Sequence, residues 1–182
     1  MHVLAANKLG ALGAIVMNRI DVALDGLSPS AAALLSMLHF KPGLTATELA
    51  AIVGISQPAA VRLIDGLERQ KLLSRGTPRG RITPLILTDA GRERSVSLQK
   101  RRLIALDDLL LPLARAERRQ FEIMLDRVLA DATTSRAFAR ITCRLCEHDL
   151  CGPSVCPIGC RATELERAEA QSDARSCEGE TR

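Results

Sequence analysis

The chain has 182 residues, enough for one ordinary domain with a full core plus a small appendage and too few for a second large domain. Hydrophobic residues make up 47% and charged residues 25%, and with three Phe and no Trp or Tyr the core falls to Leu, Ile, Val and Ala, which favours helices over a β-sandwich. The net charge of +4 hides a split: residues 1–140 hold 20 Lys/Arg against 13 Asp/Glu, and residues 141–182 hold 5 against 8.

The start, MHVLAANKLGALGAIVMNRI, has the outline of a secretory signal, but Asn7 and Lys8 break its apolar run, Asn18 and Arg19 follow, and no clear cleavage site comes after. The apolar runs fall well short of the roughly 20 residues of a membrane span, so the expectation is a soluble, cytoplasmic protein without a membrane partner. Further on, Thr45-Ala-Thr-Glu48 reads as a capping box opening a short helix through about Val53, which Gly54 ends. Ser56 is the next N-cap, Pro58 sits in the first turn where its missing N–H costs little, and Ala60, Leu63, Ile64 and Leu67 recur at helical spacing to about Gln70. Gln57, Arg62, Asp65 and Arg69 fall on the opposite face. Two short helices separated by Gly-Ile-Ser make a helix-turn-helix.

Leu72–Arg75 and Ile82–Leu87 read as two strands, and GTPRGR between them as a flexible basic hairpin tip. Pro84 cannot donate to a ladder, which places its strand at an edge. Thr88-Asp89-Ala90-Gly91 then caps a long helix. Residues 62–102 hold 11 Lys/Arg against 4 acids, so the basic excess sits on this helix, turn and wing and points to a polyanion. The fold class expected is mainly α, a winged helix-turn-helix with long flanking helices and a short β-wing.

Residues 27–93, and within them SQPAAVRLIDGLE and the LT-x-x-G that closes the wing, resemble the core of MarR-type bacterial transcriptional regulators. The resemblance extends more loosely over residues 1–140, with a DNA-binding core of about 28–91. It implies an N-terminal helix (3–25) and two long helices (89–111 and 115–138) that build a homodimer. Phe121, Met124, Leu125, Val128 and Leu129 share one stripe of the last helix, which is intrachain core or a dimer seam, and the resemblance favours the seam. Two departures stand out. Arg79-Gly80-Arg81 occupies the wing tip where the family usually carries an Asp before paired arginines, and Gly66 lies inside the second helix, where glycine costs about 1 kcal/mol relative to alanine.

Geometry gives the expected DNA contacts. Gln57 in the first turn is the candidate base reader, with Pro58 beside it and Arg62 reaching base or phosphate. Ser56 and the open N–H groups of the helix start suit phosphate. Arg75 at the wing base is a further candidate, and Arg79 and Arg81 at the tip enter or flank the minor groove. The partner is double-stranded DNA with a pseudo-palindromic operator, and binding weakens steeply with salt.

All six cysteines lie beyond residue 140, and Cys143, Cys146, Cys151 and Cys156 are spaced CxxCx4Cx4C. That spacing suits a four-thiolate cage for zinc, with Gly152 and Pro153 helping the chain turn. An iron–sulfur cluster takes the same four thiolates, and Cys156-Pro157 is similar to the Cys-Pro ending of ferredoxin ligand runs. Spacing alone does not choose between them. Leu145, Leu150, Val155 and Ile158 are expected to shield the centre, Cys160 is a spare ligand or resolving thiol, and His148 is expected to be solvated. Residues 141–161 are thus a Cys-rich metal-binding segment, and 162–182, with Cys177, a frayed and then disordered acidic tail.

The function expected is a sequence-specific DNA-binding regulator, a repressor, modulated through a four-cysteine zinc or iron–sulfur site by metal or redox state. The alternatives are a regulator answering a small organic ligand, with a purely structural zinc site, and a thiol-redox or metal-carrier protein. The oxidoreductase reading requires CxxC at a helix start in a βαβ setting, which the pattern lacks. No phosphate loop and no paired acid and base suggest an enzyme.

Overall fold

A computed structural model describes residues 2–78, 80, 82–152 and 155–179. They form α1 (Val3–Ala23), α2 (Pro29–Phe40), α3 (Ala46–Val53), α4 (Gln57–Arg69), β1 (Leu73–Arg75), β2 (Leu85–Leu87), α5 (Asp89–Asp107), α6 (Arg115–Ala132), α7 (Arg136–Thr142) and α8 (Pro157–Gly179), with a 3-10 turn over Asp108–Leu110. The chain divides into two compact units, residues 1–112 and 113–182.

Side chains mark most helix starts in the first unit. Ser28 accepts the Ala31 N–H (3.2 Å) ahead of Pro29, and Thr88 accepts the Gly91 N–H (3.1 Å) to open α5. The box at α3 is complete: Thr45 Oγ1 accepts the Glu48 N–H (3.2 Å), and Glu48 returns a carboxylate oxygen to the Thr45 N–H (2.8 Å). These bonds to its charged form hold the Glu48 carboxyl below the ordinary glutamate range. Gly54 closes α3 in the left-handed region (φ 75°), where a side chain would be strained.

The core of this unit is built around α2, whose residues Ala31–Leu38 are all buried because the helix is apolar on every side. Against it pack α3, α4, α5 and β2, contributing Leu49, Ile64, Leu98 and Leu85. β1 and β2 pair antiparallel with Leu73 opposite Leu87, Ser74 opposite Ile86 and Arg75 opposite Leu85, so the three leucines face inward and Ile86 outward. The wing is anchored at Gly91, where a Cβ would lie 1.8 Å from the Leu72 carbonyl oxygen; only glycine lets α5 pass so close to the strand. That contact explains the glycine of the LT-x-x-G sequence.

Several boundaries differ from the sequence reading. The second strand is confined to Leu85–Leu87, because the Pro84 carbonyl accepts only the Gly76 N–H (2.8 Å) and the proline has no proton to extend the ladder. The helix expected over 115–138 ends at Ala132, and a separate α7 starts with Ser135 accepting the Phe138 N–H (3.0 Å). The compact units divide after Pro112 rather than near residue 140, since α6 packs on α8 and thereby joins the C-terminal part. The polar tail is helical to Gly179, because α8 begins at Pro157 and buries Ile158 and Ala162.

By length and composition α1 would serve as a membrane span, contrary to the expectation from its interrupted run. Of its described residues only Ala23, at its C-terminal end, is buried. α1 lies against α5, and just past its end Asp25 pairs with Arg94 and Arg101 of α5; the two guanidinium groups hold the Asp25 carboxyl below the usual range.

Candidate nucleic-acid interface and thiol cluster

Helix α4 is the most strongly two-faced helix of the chain. Ala60, Ile64 and Leu67 are buried, and Gln57, Pro58, Val61, Arg62 and Arg69 are exposed. Ser56 caps it through the Ala59 N–H (3.4 Å), leaving the first-turn N–H groups at the surface beside Gln57. The Gln57 amide donates to Thr47 Oγ1 across the turn (3.2 Å), which fixes the direction of the side chain while leaving its carbonyl oxygen to a ligand. The structure thus brings Ser56, Gln57, Pro58 and Arg62 onto one exposed surface. Val61 lies on that surface too (38% exposed), flanked by Pro58 and Arg62. The sequence reading passed over it as one more apolar residue; its signal was being out of step with the 60/64/67 stripe.

Arg75 behaves differently. Its guanidinium is bound within the chain by both Asp65 and Glu68 of α4, which raise its pKa, and so it joins the wing base to the back of the helix. Arg79 and Arg81 lie outside the described residues. Gly66 leaves open space where a Cβ would stand, with only the Arg69 guanidinium 4.0 Å away.

The thiols gather in the second unit. Cys143 is the C-cap of α7 and Cys156 immediately precedes α8, so the CxxC follows a helix end instead of opening one. A tight turn closes with the Cys146 N–H on the Cys143 carbonyl (2.9 Å), and the Cys151 N–H meets the Glu147 carbonyl (3.2 Å). Pro153, expected to help the chain turn, lies outside the described residues. Cys143, Cys146, Cys151 and Cys156 line one cavity of about 400 Å³ between α7 and α8, together with Arg136 and Arg140. His148, expected to be solvated, lines it too.

Among the described residues no three His, Cys, Asp or Glu side chains stand in metal-holding geometry. Cys143 is in hydrogen-bonding contact with Cys146 and Cys156, while Cys151 is the exposed member. The contact with Cys146, then burial, then the Cys156 sulfur push the Cys143 thiol well above the ordinary thiol range. Cys160 sits in the first turn of α8. Of the expected shielding residues Ile158 is buried, whereas Leu150 and Val155 are 65% and 69% exposed, because the core here is formed by Ala139, Ile158 and Ala162 alone.

The MarR family model matches residues 25–81, the stretch from the end of α1 through the wing tip. Over this stretch the chain is similar to the MarR family. Solved structures show the same likeness. A Mycobacterium tuberculosis MarR family protein in complex with DNA is 25% identical, with a TM-score of 0.57, over 68% of this chain and 95% of that one. The same mycobacterial protein with salicylic acid gives 27% identity and a TM-score of 0.53 over 66% and 93%. A MarR family protein from Bacillus stearothermophilus, 21% identical, shares the fold with a TM-score of 0.63 over 74% and 99%. No curated protein matches the sequence. The MarR match stops before α6, α7 and α8, so the thiol cluster lies outside it.

Proposed function

We propose that this protein is a sequence-specific DNA-binding transcriptional regulator that works as a homodimer, represses, and has its DNA affinity modulated through the thiol cluster. The observation that carries the reading is the exposed first turn of α4, where Ser56, Gln57, Pro58 and Arg62 stand together on a MarR-type winged helix. The mycobacterial relative of the same fold was solved on DNA, which supports the same ligand here. An α-helix fits the major groove, where a Gln side chain reads adenine with its amide and an Arg reads guanine or phosphate.

The dimer is supported by apolar side chains exposed on helices among the described residues. In α1, Leu9, Ile15 and Met17 are exposed; in α6, where no residue is buried, Ile123, Met124, Leu125 and Val128 are exposed. Such stripes fit a second copy better than water. A two-fold dimer of these units calls for half-sites about 10 base pairs apart, or a multiple of that.

Selection from a random duplex pool tests the reading. The expected outcome is an inverted repeat with that spacing, bound by a dimer. Recovery of unrelated sequences with no symmetry would overturn it. The salicylic acid complex of the mycobacterial protein favours a second reading, in which a small organic acid controls binding and the thiol cluster is purely structural. Aromatic acids that release the selected duplex, from protein whose metal content does not change, would favour that reading.

A further inference from the structure

Within a single copy the second unit has little apolar burial at the α7–α8 junction. Ala139, Ile158 and Ala162 are its only buried apolar residues among those described, with Leu129, Cys143 and Cys156 packed partly against them. α7 has seven residues, too few to be stable in isolation, and the described residues between it and α8 form turns and bends without helix or strand. Units of this kind usually depend on a cross-link. Arg136 also ties α7 to α8, gripping Glu166 through two nitrogens (3.1 and 2.8 Å) and donating to Thr163 Oγ1 (2.6 Å). No disulfide joins the five described cysteines.

Four sulfurs facing one cavity at this junction supply the means for a stronger tie. Cys143 and Cys156 bring the two ends of the 143–156 segment into contact, and Cys146 joins them through its tight turn. The Gly159 N–H donates to the Cys156 sulfur (3.3 Å) at the start of a 23-residue helix, which holds that sulfur at the junction. Arg136 and Arg140 put positive charge on the same cavity, partly offset by Glu166. A dication that displaces the protons of four thiols leaves a centre of charge −2, which those arginines suit.

We propose that Cys143, Cys146, Cys151 and Cys156 together ligate a single thiolate-bound metal centre, a zinc ion or an iron–sulfur cluster, that fastens α7 to α8. Cys143, Cys146 and Cys156 are gathered, and the exposed Cys151 closes the set. Cys160, one turn into α8, lies outside it. The inference rests on the thiol-cluster part of the proposed function and does not depend on DNA binding.

The full chain, purified without air, is assayed for zinc, iron and acid-labile sulfide, and its tryptic cleavage after Arg144 is timed with and without a chelator. One colourless zinc per chain, or iron with sulfide and visible absorbance, is the expected result, with cleavage at least about tenfold faster once metal is removed. Cys143→Ser and Cys151→Ser should lose the metal, and Cys160→Ser should keep it. Absence of both metals, with no uptake of added zinc, would overturn the proposal. So would retention of metal by Cys151→Ser with loss in Cys160→Ser, or cleavage indifferent to the chelator. Duplex binding measured on the same samples separates the two readings: metal without DNA binding sinks the regulator, and DNA binding without metal sinks the centre.

Discussion

The two units of this chain are held by different physics. Residues 1–112 bury twenty apolar side chains among the described residues, seven of them from α2, whereas residues 113–182 bury three. The first unit carries a fold that known proteins share, the second a set of thiols beyond the reach of the family match. A core of leucines specifies one structure by itself. The helix pair of the second unit has an open cavity lined by cysteine in place of such a core, so the two units are expected to answer differently to the same perturbation.

The sharpest way to break this contrast is a cavity in the first unit. Leu35→Ala, at a fully buried position in α2, should destabilise it by about 2–5 kcal/mol in thermal or denaturant unfolding. Metal content per chain, where metal is found, should stay constant. A parallel loss of metal would mean that the units are not independent.

A smaller effect tests the caps. Thr45→Ala removes the box at α3 and should cost about 1 kcal/mol. The same box gives a pH signature. Because the folded Glu48 carboxyl is held low, its stabilising effect is present above the ordinary glutamate range and is lost as pH falls through the folded value. Unfolding midpoints of wild type and Thr45→Ala measured from neutral pH into acid should therefore converge. A gap that stays constant into acid would remove the ionic part of this explanation.

The smallest effect is stabilising. Gly66→Ala places a methyl in open space within α4 and should add about 0.5–1 kcal/mol to the first unit. Since residue 66 lies one turn beyond Arg62, past the first turns of α4, sequence preference should not change. A shift in the selected operator would show that the groove-facing surface extends further along α4 than its first turns.

The legible parts of the sequence were those where a feature is decided within a few residues. Thr45 with Glu48, Gly54, Ser56 with Pro58, and Thr88 act on their own turn of backbone, and each stands where local chemistry placed it. The wing followed from the order of such signals, and the flanking helices from the resemblance to MarR-type regulators. What could not be read were features that depend on distant partners. Arg75 reads as a DNA contact in a basic stretch, and nothing in the sequence shows that Asp65 and Glu68, ten and seven positions earlier in the chain, stand beside it. α8 reads as a polar tail because its few buried positions, Ile158 and Ala162, are matched by Ala139 from another helix. The thiol spacing announced a site, but which sulfurs meet depends on how α7 and α8 pack, and spacing contains no information on that.

The central claim is that α4 presents Gln57 and Arg62 to the edges of base pairs. Fluorescence anisotropy with a selected duplex and a scrambled one, across a salt series, tests it most directly. Gln57→Ala should weaken the selected duplex by about 1–3 kcal/mol and barely affect the scrambled one, while Arg75→Ala should leave the salt slope nearly unchanged because that guanidinium is engaged within the chain. Equal affinity for both duplexes in the wild type, or equal losses on both with Gln57→Ala, would contradict the account.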